Sequence, residues 1–203
     1  VTTVSSWLRD ETRREFGVDK PIHVIHNCVD PERFAPSSCR CRRRHFAPDE
    51  EKIIMHMSNF RAVKRIGDVI SVFAAVNEQM PARLLLVGDG PEMERATEQA
   101  RALGVMDRLH CVGRQNCIEQ FLGIADVFLF PSEYESFGVA ALEALSCEVP
   151  VVATQGSGLS EVIDDGVTGL LCPVGDIGAL SGAVLRLLRD PDLATRMGRA
   201  GRR

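Results

Sequence analysis

The chain has 203 residues, of which 45% are hydrophobic and 26% are charged, and its formal net charge is -4. This composition is typical of a globular protein with a sizeable core, and the negative balance argues against a nucleic-acid partner. No apolar run reaches the ~18 residues that a transmembrane helix needs. The seven cysteines lack the spacing of a zinc ribbon, so we expect reduced thiols in a cytoplasmic protein.

The first 50 residues predict one helix, one short strand and a long polar segment. Helical spacing runs through SSWLRDETRREFG, where Ser5 or Ser6 would be the N-cap and Gly17 would end the helix. The following PIHVIHNCV alternates in hydrophobicity, which predicts a short strand. The next segment, DPERFAPSSCRCRRRHFAPDE, is rich in proline, serine and arginine, and predicts a linker loop whose arginine cluster is solvated.

From Lys52 onward, strand-like and helix-like stretches alternate. The strand-like stretches are KIIMHMS, ARLLLVGDG, RLHCVG, DVFLFPS, PVVAT and TGLLCP. Their near-continuous Ile, Leu and Val content predicts a parallel sheet covered on both faces, and the alternation predicts a doubly wound, Rossmann-like α/β fold. Ligands of such sheets bind beyond the carboxyl ends of the strands, near the point where the strand order reverses. The loops at that edge follow Met57, Val87, Val112, Phe130 and Thr154.

The loop after the first of these strands, SNFRAVKR, is basic. Arg61, Lys64 and Arg65 stand just before a predicted helix. An arginine fork or a lysine point charge in this position can bind a phosphate. An ordinary solvated loop has the same composition, so the residues alone leave both interpretations open.

The loop after the second strand, GDGPEME, contains only part of a dinucleotide-binding G-x-G-x-x-G motif. Met93 stands where the third glycine belongs, which argues against a nicotinamide-dependent oxidoreductase. The chain also lacks a group of residues suited to hydride transfer. We interpret Gly88 and Gly90 as tight-turn residues that let the backbone approach another group closely.

The loop after the fourth strand leads into a predicted helix with two glutamates. Ser136 is a candidate N-cap, and the unpaired amides at the helix start, near Phe137 and Gly138, predict an anion site. Eight residues of helix would place Glu143 about 12 Å along the axis from Glu135, too far for a close pair of acids. We expect the two carboxylates to bind separate parts of one extended ligand, such as sugar diols. The alternatives are an ordinary acid near a helix start and a salt-bridged or exposed acid on a helix face.

The stretch SEYESFGVAALEALSCEVPVVATQGSGLSEVIDDGVTGLL resembles the nucleotide-sugar domain of the family 4 retaining glycosyltransferases, which have the GT-B fold. The marks of that family are E-x7-E, here Glu135 and Glu143, then PVVAT and G-x-x-E-x-I-x-x-G-x-x-G. Glu148 stands where a glycine is common. The resemblance spans nearly the whole chain.

Applied along the chain, the resemblance implies three regions. Residues 1–20 are similar to the helical end of an N-terminal acceptor domain, residues 21–50 to its last strand and the interdomain linker, and residues 51–203 to the nucleotide-sugar-binding half. HMSNFRAVKRIGDVISVF and LLLVGDGPE are similar to the bacillithiol-pathway subgroup, which transfers N-acetylglucosamine from UDP-GlcNAc to L-malate. The expected partners are therefore a UDP-sugar and a small acceptor such as L-malate, and the formation of homo-oligomers is left open. This piece alone is expected to bind UDP weakly and to transfer no sugar.

The resemblance also implies roles for the two acids and for the basic loop. Glu143 would hold the ribose hydroxyls of UDP, and Glu135 would contact hydroxyls of the donor sugar at the catalytic centre. Lys64 and Arg61 would neutralise the diphosphate leaving group. Many relatives place an arginine where this chain has Asn59, which therefore also counts as a donor-binding candidate.

Further donor contacts are implied at the helix start and in two other loops. The candidates are Ser136, Phe137, Gly138 and Val139 for phosphate or sugar oxygens, Arg114 and Gln115 beside the uracil, and Gly88. No D-x-D metal motif stands in a suitable loop, and the family implies retention of configuration with neither a metal nor another cofactor. The alternatives are a family 4 enzyme with another donor or acceptor, and a nucleotide-binding module without catalysis.

Overall fold

The computed structural model describes residues 1–36, 40–48 and 51–203. Near the N-terminus, strand Thr2–Thr3 (β1) precedes helix Ser6–Phe16 (α1) in the chain, and strand His23–Val24 (β2) follows it. The two strands pair in parallel. The Ser5 hydroxyl caps α1 by accepting from the Leu8 amide at 3.0 Å, and Gly17 ends the helix with φ 59. The predicted cap and terminator of this helix are confirmed.

The predicted linker contains a helix rather than only a loop. Arg40–Phe46 (α2) is helical, and Arg43 bonds the Asp126 carboxylate at 2.8 Å and the carbonyls of Ile124 and Glu51 at 2.5 and 3.1 Å. The planar guanidinium satisfies three acceptors of the main domain at once. The expectation of a solvated arginine cluster is therefore wrong at Arg43, which anchors the linker.

The main domain alternates strands and helices as predicted. The strands are Lys52–Ser58 (β3), Ala82–Gly88 (β4), Leu109–Cys111 (β5), Val127–Phe130 (β6), Val151–Thr154 (β7) and Gly169–Cys172 (β8). The helices are Ile66–Asn77 (α3), Met93–Ala102 (α4), Glu119–Leu122 (α5), Val139–Ser146 (α6), Ile177–Arg189 (α7) and Pro191–Gly201 (α8). Helix α8 was not predicted from the sequence, although Asp190 caps it and Leu193 and Met197 are buried.

The main sheet is parallel, with the order β5-β4-β3-β6-β7-β8. The chain moves outward from β3 through β4 to β5, then returns to β6 on the other side of β3 and moves outward again. The strand order therefore reverses between β3 and β6, and this confirms the doubly wound α/β fold. The loops after β3 and β6 flank the reversal, where such folds bind ligands.

Buried apolar side chains cover both faces of the sheet. Ile54 and Leu84 belong to the cluster that includes residues of α3, α4 and α7, whereas Ile53 and Leu85 belong to the cluster that includes residues of α5 and α6. Neighbouring residues of a strand point to opposite faces, so each strand contributes to both clusters. Among the described residues, no helix combines the length and the apolar character needed to span a membrane.

Candidate functional site

A cleft of about 320 Å³ lies at the reversal point of the sheet. The end of β3, the loops after β3 and β6 and the start of α6 enclose it, together with one residue that follows β2. Its lining includes Asn27, Ser58, Asn59, Lys64, Phe130, Glu135, Ser136, Phe137, Gly138 and Val139. The topology predicted from the sequence thus places the loops after β3 and β6 around one cavity.

An ion pair between Lys64 and Glu135 joins the two loops inside the cleft. The exposed fractions of the two side chains are only 18% and 12%, respectively. The Lys64 ammonium also lies 5.5 Å from the ring centroid of Phe130, and the Glu133 amide donates to the Val63 carbonyl at 2.9 Å. An anion in this cleft would meet a positive charge shielded from bulk water, and hydroxyl groups would meet a carboxylate.

Helix α6 begins two residues later than a Ser136 cap requires. Gly138 occupies the N-cap position with φ 99, and no side chain caps the helix there. The predicted capping role of Ser136 is therefore wrong, because the left-handed turn at Gly138 separates Ser136 from the first helical turn. The Ser136 carbonyl instead accepts a hydrogen bond from the Ser5 hydroxyl at 2.5 Å. Val139 and Ala140, the first residues of α6, line the cleft, and the amides of a first helical turn have no partner within the helix.

The 3-10 helix Gly158–Glu161 packs against the loop that carries Glu135. A Cβ on Gly158 would lie 2.3 Å from the Ser136 carbonyl oxygen, so only glycine allows this approach. The Gly158 amide also donates to the Glu135 carbonyl at 2.9 Å. The first glycine of G-x-x-E-x-I therefore supports the shape of the cleft.

Glu161, the glutamate of the same motif, contacts the N-terminal segment, a contact that was not predicted from the sequence. Glu161 accepts hydrogen bonds from the Ser6 and Trp7 amides at 2.8 and 2.6 Å, and His26 Nε2 lies 3.6 Å from its carboxylate. Burial favours a raised pKa for Glu161, but the amides of Trp7 and Ser6 outweigh it and lower the pKa. The motif was visible in the sequence, but its partner lay more than 150 residues away.

Glu143 lies on α6, one turn beyond the part that lines the cleft with Lys64. It is half-buried, and burial raises its pKa to about 7, with Arg33 opposing the rise and Glu119 adding to it. Arg33, from the linker, bonds Glu119 at 3.4 Å and the Asn116 carbonyl at 2.9 Å. A half-buried carboxylate of this kind is suited to polar groups brought by a ligand.

The loop after β5 joins the same edge of the sheet. The Gly113 carbonyl accepts from the Gly88 amide at 2.8 Å. Arg114 is exposed, and Gln115 donates to the Val112 carbonyl. A Cβ on Gly88 would lie 1.9 Å from the Ser58 carbonyl oxygen, so the close approach expected of this glycine is to the end of β3.

The basic loop after β3 sends its side chains in different directions. Asn59 lines the cleft, whereas Arg61 is exposed and outside the lining. Arg65 pairs with Asp68 at 2.6 Å and lies 3.7 Å from Glu133. The structure therefore brings Lys64 and Asn59 together at the cleft but does not bring Arg61 into it. Asn27 also lines the cleft and was missed from the sequence.

Metal-binding residues do not gather in the part of the chain that the structure describes. Within residues 1–36, 40–48 and 51–203, no group of three or more His, Cys, Asp or Glu side chains could hold a metal ion. At the cleft, the Lys64 ammonium and the start of α6 are positively charged groups of the protein itself. Independence from metals stays a prediction.

Comparison with known proteins assigns the chain to a family. Residues 40–203 match the family described as glycosyl transferases group 1. The chain belongs to this family. N-acetyl-alpha-D-glucosaminyl L-malate synthase of Bacillus anthracis is 39% identical over 204 residues, which cover 100% of this chain and 53% of that protein. A GDP-mannose-dependent phosphatidylinositol monomannoside mannosyltransferase of Mycolicibacterium smegmatis is 33% identical, over 100% of this chain and 56% of that protein.

Two solved structures confirm the fold. Sucrose-phosphate synthase from Thermosynechococcus elongatus superimposes with a TM-score of 0.90 at 28% identity, covering 100% of this chain and 52% of that one. Anabaena HepE, solved with UDP and glucose, gives a TM-score of 0.93 at 23% identity over 100% of this chain and 56% of that one. The chain spans about half the length of the curated relatives it matches. The predicted GT-B architecture is thus confirmed for the half that the chain covers.

Proposed function

We propose that this chain is the donor-binding half of a retaining glycosyltransferase whose full-length form transfers N-acetylglucosamine from UDP-GlcNAc to L-malate. The shielded ion pair of Lys64 and Glu135, beside the start of α6 at the sheet reversal, carries the proposal. One cleft there offers a positive charge, a carboxylate and helix amides. The choice of donor and acceptor is supported by the Bacillus anthracis relative, whose name contains both the glucosaminyl and the malate group.

Lys64 and the start of α6 are suited to a diphosphate leaving group. Negative charge grows on the phosphate oxygen as its bond to the sugar breaks, and fixed positive groups lower the energy of that state. Val139 and Ala140 line the cleft with Lys64, and their amides belong to the first turn of α6, at the positive end of the helix dipole. We propose that these protein groups stabilise the departing UDP without a metal ion.

The proposed reaction replaces one bond at the anomeric carbon with another on the same face. The bond from that carbon to the UDP oxygen breaks, and a bond to the acceptor hydroxyl oxygen forms. The hydroxyl proton passes to the departing phosphate, so that UDP leaves and the configuration is retained. Glu135 binds hydroxyls of the donor sugar and is not the nucleophile, because a reaction on one face forms no bond between the sugar and the protein.

Glu143 and the loop after β5 would bind the nucleoside. A carboxylate accepts well from two neighbouring ribose hydroxyls, and Glu143 is half-buried one turn beyond the diphosphate end of the cleft. Arg114 and Gln115, at the same sheet edge, would lie beside the uracil. Arg33, which holds Glu119 and the Asn116 carbonyl, would keep this side of the site in place.

Calorimetric titration of the 203-residue chain with UDP, UDP-GlcNAc and GDP tests the proposal. We expect UDP and UDP-GlcNAc to bind more tightly than GDP. We expect Glu143→Ala to remove most of the UDP binding. Equal binding of GDP would instead support the donor class named for the Mycolicibacterium smegmatis relative. If none of the three nucleotides binds, the donor-domain assignment is contradicted.

Activity requires a separate measurement on the full-length protein. We expect release of UDP from UDP-GlcNAc to depend on added L-malate, and the 203-residue chain to transfer no sugar. Release of UDP with other hydroxy acids or with sugar acceptors would assign another acceptor. Nucleotide binding without transfer to any acceptor would favour a binding module without catalysis.

A further inference from the structure

His56 is a buried titratable residue that the proposed reaction does not use. It lies on β3 with 0% of its surface exposed, and its ring centroid lies 6.0 Å from that of Phe60 and 6.1 Å from that of Phe130. Burial lowers the pKa of His56 to about 4, the Leu129 carbonyl opposes this, and the Lys64 charge adds to it. The imidazole is therefore neutral at physiological pH.

The hydrogen bonds of His56 allow only one direction of donation. Nδ1 lies 2.9 Å from the Leu129 carbonyl oxygen, which can only accept, so Nδ1 carries the proton. Nε2 must then accept, and it lies 2.9 Å from the Ser58 hydroxyl, which donates to it. The same hydroxyl oxygen accepts from the Phe60 amide at 3.2 Å. One chain of hydrogen bonds thus connects β6, β3 and the turn after β3.

That turn leads directly into the cleft. Phe60 is fully buried and adopts φ 38, in the left-handed region that residues other than glycine rarely adopt. Its carbonyl accepts from the Glu92 amide at 3.0 Å, so both backbone polar groups of this strained residue are held. The cleft residues Asn59 and Lys64 lie immediately before it and four positions after it.

We propose that His56 is a positioning residue which, through Ser58, holds the turn at Phe60 and thereby sets Asn59 and Lys64 for a nucleoside diphosphate. The inference rests on the proposed function, because it assumes that the diphosphate lies against Lys64. The imidazole touches no ligand and acts only through the Ser58 hydroxyl and the Phe60 amide. Its effect is therefore confined to the diphosphate end of the ligand.

Two variants of the 203-residue chain, titrated with UDP and with uridine by NMR chemical shift, test this role. Ser58→Ala removes the middle of the hydrogen-bond chain, and His56→Asn retains a donor toward Leu129 while losing the acceptor toward Ser58. We expect each variant to lose about fivefold in UDP affinity, the factor that corresponds to one net hydrogen bond. Uridine affinity should stay unchanged, because uridine lacks the diphosphate.

A matched control and a double variant separate positioning from general loss of stability. Ser146→Ala removes a buried serine hydroxyl that donates to the Phe34 carbonyl at 2.7 Å, and we expect it to leave the UDP-to-uridine affinity ratio unchanged. The double variant should lose no more UDP affinity than either single variant, because both changes interrupt one chain. Ser58→Ala is the milder change and serves alone should His56→Asn fail to fold.

The outcomes distinguish this inference from the proposed function. Two results would overturn the role of His56 while leaving UDP binding in place. One is an unchanged ratio of UDP to uridine affinity in Ser58→Ala, and the other is additive losses of UDP affinity in the double variant. A parent chain that binds no UDP would overturn the proposed function and this inference with it. Selective loss of UDP affinity in the variants, with Ser146→Ala unchanged, is the expected result.

Discussion

Glu161 Oε1 accepts a hydrogen bond from the Trp7 amide at 2.6 Å, although the two residues are 154 positions apart. The Ser6 amide also donates to this carboxylate, at 2.8 Å. Glu161 thus satisfies two amides at the start of α1 that have no partner within the helix. The neighbouring bond from the Ser5 hydroxyl to the Ser136 carbonyl reaches the loop of the cleft. The N-terminal segment is therefore attached to the candidate site rather than only to its own strands.

Replacing Glu161 by glutamine should lower stability and weaken its pH dependence. Loss of a capping carboxylate costs about 1 kcal/mol of the free energy of unfolding. Because the folded state lowers the Glu161 pKa, its stabilisation is present above the ordinary carboxyl pKa and disappears as the pH falls through the folded value. Urea denaturation at pH 7 and at about pH 3 measures both effects. Glu98→Gln, at an exposed site, is the control, and equal losses in the two variants would contradict the capping role.

Replacing Lys64 by methionine should weaken UDP binding much more than uridine binding. A charge-assisted hydrogen bond contributes about 1.5–3 kcal/mol, so we expect a loss of about 10- to 100-fold for UDP. Glu135→Gln should instead leave UDP affinity nearly intact and reduce the additional affinity for UDP-GlcNAc, because its carboxylate would contact the sugar. Calorimetry with both ligands tests this division, and a similar pattern in the two variants would refute it.

Asn59 and Arg61 should differ in their effects on UDP affinity. Asn59 lines the cleft and Arg61 is exposed outside it, so we expect the larger loss from Asn59→Ala. An exposed arginine acts on an anion mainly through long-range attraction, which salt screens. Titrations with UDP at low and at physiological ionic strength would show a salt-dependent effect for Arg61→Ala. A larger, salt-insensitive loss from Arg61→Ala would place that side chain on the diphosphate.

UDP affinity should rise with pH in a way that depends on Glu143. Burial raises the Glu143 pKa to about 7, and ribose hydroxyls bind the ionised carboxylate best. Binding should therefore become tighter as the pH increases from about 6 to about 8, roughly one unit either side of that pKa. The phosphate of UDP also titrates near pH 6, so Glu143→Gln, which keeps only that contribution, is the control. Identical pH profiles would contradict a ribose-binding carboxylate.

Replacing Glu148 by glycine should stabilise the chain. Glu148 adopts φ 59, a conformation that costs a residue with a side chain about 1–2 kcal/mol, partly offset by the greater freedom of glycine when unfolded. We expect a gain of about 1 kcal/mol in the free energy of unfolding by urea denaturation. Glu98→Gly, inside helix α4, should lose about 1 kcal/mol. A loss in both variants would show that the Glu148 side chain outweighs its backbone strain.

The local elements were predictable because their signals lie within a few residues. Strand β3 matches KIIMHMS residue for residue, and Ser5 and Gly17 bound α1 as expected. Glu148 already stood out as a substitute for glycine, and its left-handed φ explains why glycine is common there. Alternating apolar strands and amphipathic helices also determined the sheet type, because both faces had to be buried.

Contacts between distant segments were decided by the tertiary structure. The left-handed turn at Gly138 moved the helix start past Ser136, and the group that Gly88 approaches closely is the Ser58 carbonyl of a neighbouring strand. The partners of Glu161 and His56 lie on elements that are far apart in the chain. By itself, the sequence determined which residues carry charge and where strands and helices alternate. Only the packed sheet decided which of those charges share a cleft, because that depends on the order in which the strands pair.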